Sequence, residues 1–147
     1  MELKDLASVS GKGGLYKVGK PGKAGMLLES LDESKTKILA SANNRLSLLD
    51  EISIYTHTKE GTAPLGDVLK KIKKDFSNDL GVDANSEPAE LKAFLKSVLP
   101  EYDENRVYVS DIKKLVKWYG IISQYAPEIL DASERSQEKK QEEAQSN

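Results

Sequence analysis

A chain of 147 residues with no cysteine, 31% charged residues and a formal net charge of −2 has room for one ordinary domain or two very small ones. The missing thiols exclude disulfides and thiolate metal sites, and the near-balanced charge excludes a whole-molecule attraction to nucleic acid or to an anionic membrane. With 38% hydrophobic but only 6% aromatic residues, any core relies on Leu, Ile and Val.

The opening Met1–Leu6 has neither the basic region nor the continuous apolar run of a secretory signal. No stretch approaches the roughly 18 apolar residues of a membrane helix. A cytoplasmic, bacterial-type protein is therefore expected. From Gly11 to Gly25 six glycines surround Pro21, and short apolar runs follow one another: Leu15–Val18, Met26–Leu31, Ile38–Ala40 and Leu46–Tyr55. The last of these ends in the alternating Ile52-Ser53-Ile54-Tyr55. Short β-type runs between glycine-rich turns predict a small antiparallel sheet or barrel. Lys20-Pro21-Gly22-Lys23 reads as a hairpin turn, with Pro pre-set for its second position and Gly free to take positive φ. Four or five strands in this space predict an SH3-like β-barrel over residues 1–60.

Gly61 to Pro64 reads as a joint. Beyond it the apolar period changes from two to about 3.6, as helices require. Leu65, Val68, Leu69, Ile72 and Phe76 share one face. A second set is Leu91, Phe94, Leu95, Val98 and Leu99, and a third is Ile112, Leu115, Val116, Tyr119 and Ile122. Thr62 before Pro64, Ser86 before Pro88, and Ser110-Asp111 are the predicted start signals. Pro100 and Pro127 are the predicted stops of the second and third helices. The expected fold class is α+β, with a three-helix unit over residues 61–128. Residues 129–147 are rich in Glu, Gln, Lys and Ser and cannot bury enough apolar surface to offset their ordering entropy, so a disordered tail is expected there.

Several segments together carry a resemblance: Met1-Glu2-Leu3-Lys4-Asp5, Gly14-Leu15-Tyr16-Lys17-Val18, Glu51-Ile52-Ser53-Ile54-Tyr55-Thr56, and above all the run from Ala89 to Trp118. The last contains Leu99-Pro100-Glu101-Tyr102-Asp103 and Arg106-Val107-Tyr108-Val109-Ser110-Asp111. Over roughly residues 1–125 the chain resembles a family of small Bacteroidetes-type bacterial proteins classed as domains of unknown function. The resemblance implies a cytoplasmic bacterial protein in two parts. That family carries no established activity, so it implies no functional residues.

The near-motifs each lack a residue their chemistry requires. Gly14-Leu15-Tyr16-Lys17-Val18-Gly19-Lys20 has P-loop spacing, but Pro21 stands where Ser or Thr would hold magnesium, and no helix can begin there. Ser110 and Lys113 have S-x-x-K spacing without the companion motifs of that enzyme class. His57 is the only histidine; a triad or metal site built on it would need acidic or other ligand residues converging from elsewhere, and nothing in Thr56-His57-Thr58 suggests that. An exposed linker position is expected for it, its one use being a pH-sensitive contact between the halves. The acidic groups Ser77-Asn78-Asp79 and Asp103-Glu104-Asn105 lack the spacing of a calcium loop. No catalytic residue, metal site or cofactor is predicted.

Charge and aromatic placement point to surfaces instead. Residues 1–59 hold nine Lys/Arg against seven Asp/Glu. Lys12, Lys17, Lys20 and Lys23 lie among the glycines as candidate phosphate contacts, although lysine also keeps an edge strand from aggregating. The helices carry Lys70, Lys71, Lys73, Lys74, Lys92, Lys96, Lys113, Lys114 and Lys117 on predicted exposed faces. Acids concentrate in first turns, as the helix dipole favours. Only three arginines occur, Arg45, Arg106 and Arg135, which disfavours sequence-specific reading of bases. Trp118 and Tyr125 lie off the apolar stripe of the third helix. They either pack on the first domain or, with Tyr108, form a candidate partner surface. The expectation is a non-enzymatic binding or adaptor protein acting through protein–protein contacts, with no membrane and no small-molecule substrate. The alternative is an RNA- or ribosome-associated protein that binds phosphates through the Gly/Lys-rich hairpin.

Overall fold

The computed structural model describes residues 1–23, 25–41, 45–77 and 79–130. After a 3-10 turn at Leu3–Asp5, the glycine-bounded apolar runs form β1 (Leu6–Val9), β2 (Tyr16–Gly22), β3 (Gly25–Ser30), β4 (Lys37–Ala40) and β5 (Leu46–Leu48). They pair antiparallel in the order β4-β3-β2-β1-β5. Val18, Leu28 and Ile38 stand opposite one another on three neighbouring strands. Because side chains alternate across a strand, they share a face with Val9 and Ala40 and form a small cluster there. The other face turns Leu6 toward the helices. It also carries the paired Leu27 and Leu39, 43% and 51% exposed, beside the cross-strand row Lys17, Glu29 and Lys37. Gly25 has φ +144, and a Cβ there would lie 2.1 Å from the Ala40 carbonyl oxygen, so the β2–β3 hairpin admits only glycine.

The expected SH3-like barrel does not form. β4 and β5 are the two edges of an open sheet and do not pair with each other. Closing a sheet this small requires every strand to contribute side chains to one interior. Here Leu6, Leu15 and Leu49 are drawn into a core shared with the helices instead. The alternating Ile52–Tyr55 run does not join the sheet either. Its β6 (Ser53–Tyr55) pairs with β7 (Thr62–Pro64), most of the segment expected to be a joint. Thr62 and Pro64 are therefore strand residues, and Thr62 caps no helix. The turn expected at Lys20–Lys23 is also displaced, because β2 continues to Gly22 and its last pair is Gly22 with Gly25. A register irregularity between Val18 and Pro21 accommodates a residue that has no N–H to give the ladder.

The helices fall where the 3.6 period predicts: α1 (Leu65–Phe76), α2 (Pro88–Val98) and α3 (Val109–Tyr125). Pro88 opens α2 at a position whose N–H would be unpaired anyway. α3 starts differently from expectation. Tyr108 is the N-cap residue, and the Asp111 carboxylate accepts its N–H at 2.9 Å. Ser86 likewise caps no helix but accepts the Asp83 N–H at 2.9 Å. The apolar faces of the three helices meet in one cluster with Leu6, Leu15 and Leu49. Phe76 and Phe94 rings lie 5.2 Å apart between α1 and α2. The Tyr119 hydroxyl donates to the Ser77 carbonyl and so ties α3 to the end of α1. Ile129 and Leu130, where the tail was expected to begin, are each 2% exposed and belong to this core. The rest of that predicted tail, residues 131–147, lies outside the described residues. Among the described residues no helix is long and apolar enough to cross a membrane.

Candidate functional site

α3 crosses the molecule beside β1, β5 and β6, and the contact is incomplete. A cleft of about 300 Å³ opens between β6 and α3, bounded by Ser53, Tyr55, Arg106, Asp111, Lys114 and Trp118. A second, of about 460 Å³, lies between α3 and the β1–β2 loop. The two share Ser8, Ser47, Lys114 and Trp118, so they form one groove with the indole at its middle. Ser8 and Ser47 are paired across β1 and β5 and present small hydroxyls where larger side chains would fill the space. The β1–β2 loop keeps its backbone near the groove through Gly11 and Gly14, both at positive φ, and a Lys12 N–H bond of 3.1 Å to the Val9 carbonyl.

The charges of the groove are one-sided. Lys12, Arg45, Lys114 and Lys117 line the second cleft, which has no acidic residue in its wall. None of the four makes an ion pair among the described residues. In the first cleft Asp111 spends one oxygen on the Tyr108 N–H. Arg106 is anchored there, with Nε 3.7 Å from Asp103 Oδ2 and its guanidinium 5.3 Å from the Tyr55 ring centroid. Unpaired cations beside a half-buried indole and two serines suit a ligand with negative charge and an apolar or flat group. Both arginines of the described residues border the groove, and guanidinium is the side chain that grips carboxylate or phosphate through two bonds.

The structure brings together only part of what the sequence singles out. Lys12 and Trp118, 106 positions apart in the chain, meet in the groove. Lys17 lies on the same face of the sheet as Leu6, opposite it on β2, near Leu27 and Lys37 and away from the groove, and Lys20 and Lys23 are exposed at the far end of the hairpin. Tyr108 is 66% exposed at the start of α3, and Tyr125 closes the same helix. Neither borders the groove. Gly14–Pro21 is the end of a loop followed by strand β2, and Ser110 and Lys113 are exposed on α3. His57 is exposed, with Nε2 3.6 Å from Asp103 Oδ1, in a contact that joins the end of β6 to the α2–α3 connection. Its N–H donates to the Glu101 carbonyl at 2.7 Å, and the Asp103 N–H donates to the Tyr55 carbonyl at 2.9 Å.

The role of Arg45, Ser8 and Ser47 is not legible in the sequence because it depends on strand pairing. Lys114 and Lys117 were visible only as exposed lysines. A usable signal existed: Asp111, Lys114, Trp118 and Ile121 recur three or four residues apart and therefore share one side of α3.

Two family models match successive stretches of the chain. One described as Domain of unknown function (DUF5606) covers residues 3–49, and one described as Domain of unknown function (DUF6852) covers residues 52–122. The break between them falls in the 3-10 turn Leu49–Glu51 that leads out of the sheet. No curated protein matches the chain. Among solved structures, the solution NMR structure of a Bacteroides vulgatus protein, a structural-genomics target, is 37% identical with a TM-score of 0.62. The match covers 82% of this chain and 84% of that one.

Proposed function

We propose that this chain, which belongs to the same family as the Bacteroides vulgatus protein, is a non-enzymatic binding or adaptor protein of the bacterial cytoplasm that works through protein–protein contacts. The observation that carries the reading is the groove centred on Trp118, which is continuous across both halves of the chain. An aromatic anchor flanked by arginine matches the composition of residues that dominate protein contacts. The surrounding cations set the orientation of a partner and speed its approach. Affinity purification of the tagged protein from its own cells, followed by mass spectrometry, is the test. A specific protein should be enriched with the native chain and lost with Trp118→Ala, the variant's fold being checked by circular dichroism. Enrichment that is unaffected by the substitution, or no enrichment at all, overturns the reading.

The second reading is RNA or ribosome association. The unpaired Lys12, Arg45, Lys114 and Lys117 favour it, since phosphate contacts need only positive charge. It predicts RNA binding that weakens steeply from low to physiological salt and falls on charge reversal of Lys12. Binding that is absent or indifferent to salt removes it. Charge reversal of Lys17, Lys20 and Lys23 distinguishes the hairpin from the groove as the contact.

A further inference from the structure

The edge of β6 that borders the groove is unpaired over part of its length. In an antiparallel pair, successive residues direct their N–H and C=O alternately toward the neighbouring strand and away from it. Thr56 donates to the Gly61 carbonyl and the Ile52 carbonyl accepts the Leu65 N–H, so even-numbered residues of this stretch face β7. Odd-numbered residues face the opposite edge. There the Tyr55 carbonyl and the His57 N–H are taken by Asp103 and Glu101, and Thr56 forms a β-bridge with Tyr102. The chain then turns away: the Asp103 carbonyl accepts the N–H groups of Arg106 and Val107 at 3.1 and 2.9 Å. Ser53 N–H, Ser53 C=O and Tyr55 N–H are left without a backbone partner among the described residues. Both residues are exposed and border the cleft that contains Trp118.

We propose that the groove receives an extended acidic segment of a partner protein, which adds as a strand to the open edge of β6 and sets an apolar side chain against Trp118. The inference rests on the reading of the groove as a protein-contact surface and names the chemistry of the partner. Donors and an acceptor at the spacing of a strand are matched by another polypeptide backbone, as in other strand-addition contacts. A nucleic acid has no such alternation. Negative charge follows from the wall beyond Trp118, where Lys12, Arg45, Lys114 and Lys117 stand without an acid.

A random peptide library displayed on phage, selected against the full-length protein, tests the inference. Acidic sequences with a hydrophobic residue should be enriched, and enrichment should vanish against Lys114→Glu/Lys117→Glu, whose exposed positions keep the fold intact. Trp118-dependent enrichment without acidic bias overturns the acidic-strand inference and leaves the protein-contact reading standing. No Trp118-dependent enrichment overturns both. A selected peptide is then titrated while the emission of Trp118, the only tryptophan, is followed. N-methylation of alternate amides on the strand's inward side should weaken binding about tenfold or more, the loss expected for backbone bonds. Methylation of the intervening amides should leave it unchanged. Equal effects of the two patterns overturn strand addition, and tighter binding of an oligothymidylate than of the peptide overturns the choice of partner.

Discussion

Two residues show how a polar group's surroundings decide its worth. Tyr102 is 3% exposed, and its hydroxyl is buried with no hydrogen-bond partner among the described residues. Burial, and then the nearby charge of Glu104, push its pKa up. A buried hydroxyl that makes no bond has lost its hydration without return, so Tyr102→Phe should leave stability unchanged or raise it by up to about 1 kcal/mol. Thermal denaturation monitored by circular dichroism checks this, and a clear loss of stability would contradict it. Asp32 is the opposite case. Its carboxylate accepts the Ser34 hydroxyl at 2.6 Å, the Ser30 hydroxyl at 2.9 Å, and the Ser34 and Lys35 N–H groups at 2.9 and 3.1 Å. These bonds, led by that of the Ser34 hydroxyl, lower its pKa. A carboxyl depressed in the folded state stabilises the turn above its unfolded pKa, and that contribution is lost as pH falls through the folded value. Protection of the Ser34 and Lys35 amides from hydrogen exchange should therefore drop on acidification. Asp32→Asn should remove the dependence. Neither residue's role is legible in the sequence, because residue type alone tells neither whether a tyrosine hydroxyl is buried without a partner nor whether a turn folds donors onto a carboxylate.

At the scale of elements, α3 does two jobs with one face. Its first turn is closed by Asp111, whose carboxylate takes the Tyr108 N–H at 2.9 Å, and the same side chain supplies the acid of the first cleft. Asp111→Ala should cost on the order of 1 kcal/mol by removing the cap. It should also tighten binding of an acidic peptide to the groove. Chemical denaturation and the Trp118 fluorescence titration measure the two effects on one protein, and weaker peptide binding by the folded variant would contradict the second. The helices were the legible elements, since each apolar stripe is written at i, i+3 and i+4 within a dozen or so residues. Their caps were less so. Ser110 and Ser86 are better cap residues by type than Tyr108 and Glu87, yet the latter occupy the cap positions, because core packing sets where each helix begins. Strand runs were legible as β structure, but their partners were not. Ile52–Tyr55 alternates whether it joins the large sheet or pairs with Thr62–Pro64, since alternation records faces and not neighbours.

At the scale of the whole molecule, Leu6, Leu15 and Leu49 from the sheet region lie in one core with the three helices. Leu49→Ala should cost about 2–5 kcal/mol and lower the stability of the helices as much as that of the sheet. Denaturation followed by far-ultraviolet dichroism and by Trp118 emission should give coincident transitions in both proteins, as a single cooperative unit requires. Separate transitions would show two independently stable parts. The amino-acid order by itself determined that the chain opens with β structure and continues with three helices, and it identified most of their buried residues. It also named Lys12 and Trp118 as surface features, because local period, glycine and charge are properties of neighbouring residues. Tertiary structure alone decided that the five-stranded sheet stays open, that β6 leaves it for β7, and that Lys12 and Trp118 share a groove with Arg45 and an unpaired strand edge. Those outcomes depend on which apolar faces cover each other, a competition among distant segments that no local pattern encodes.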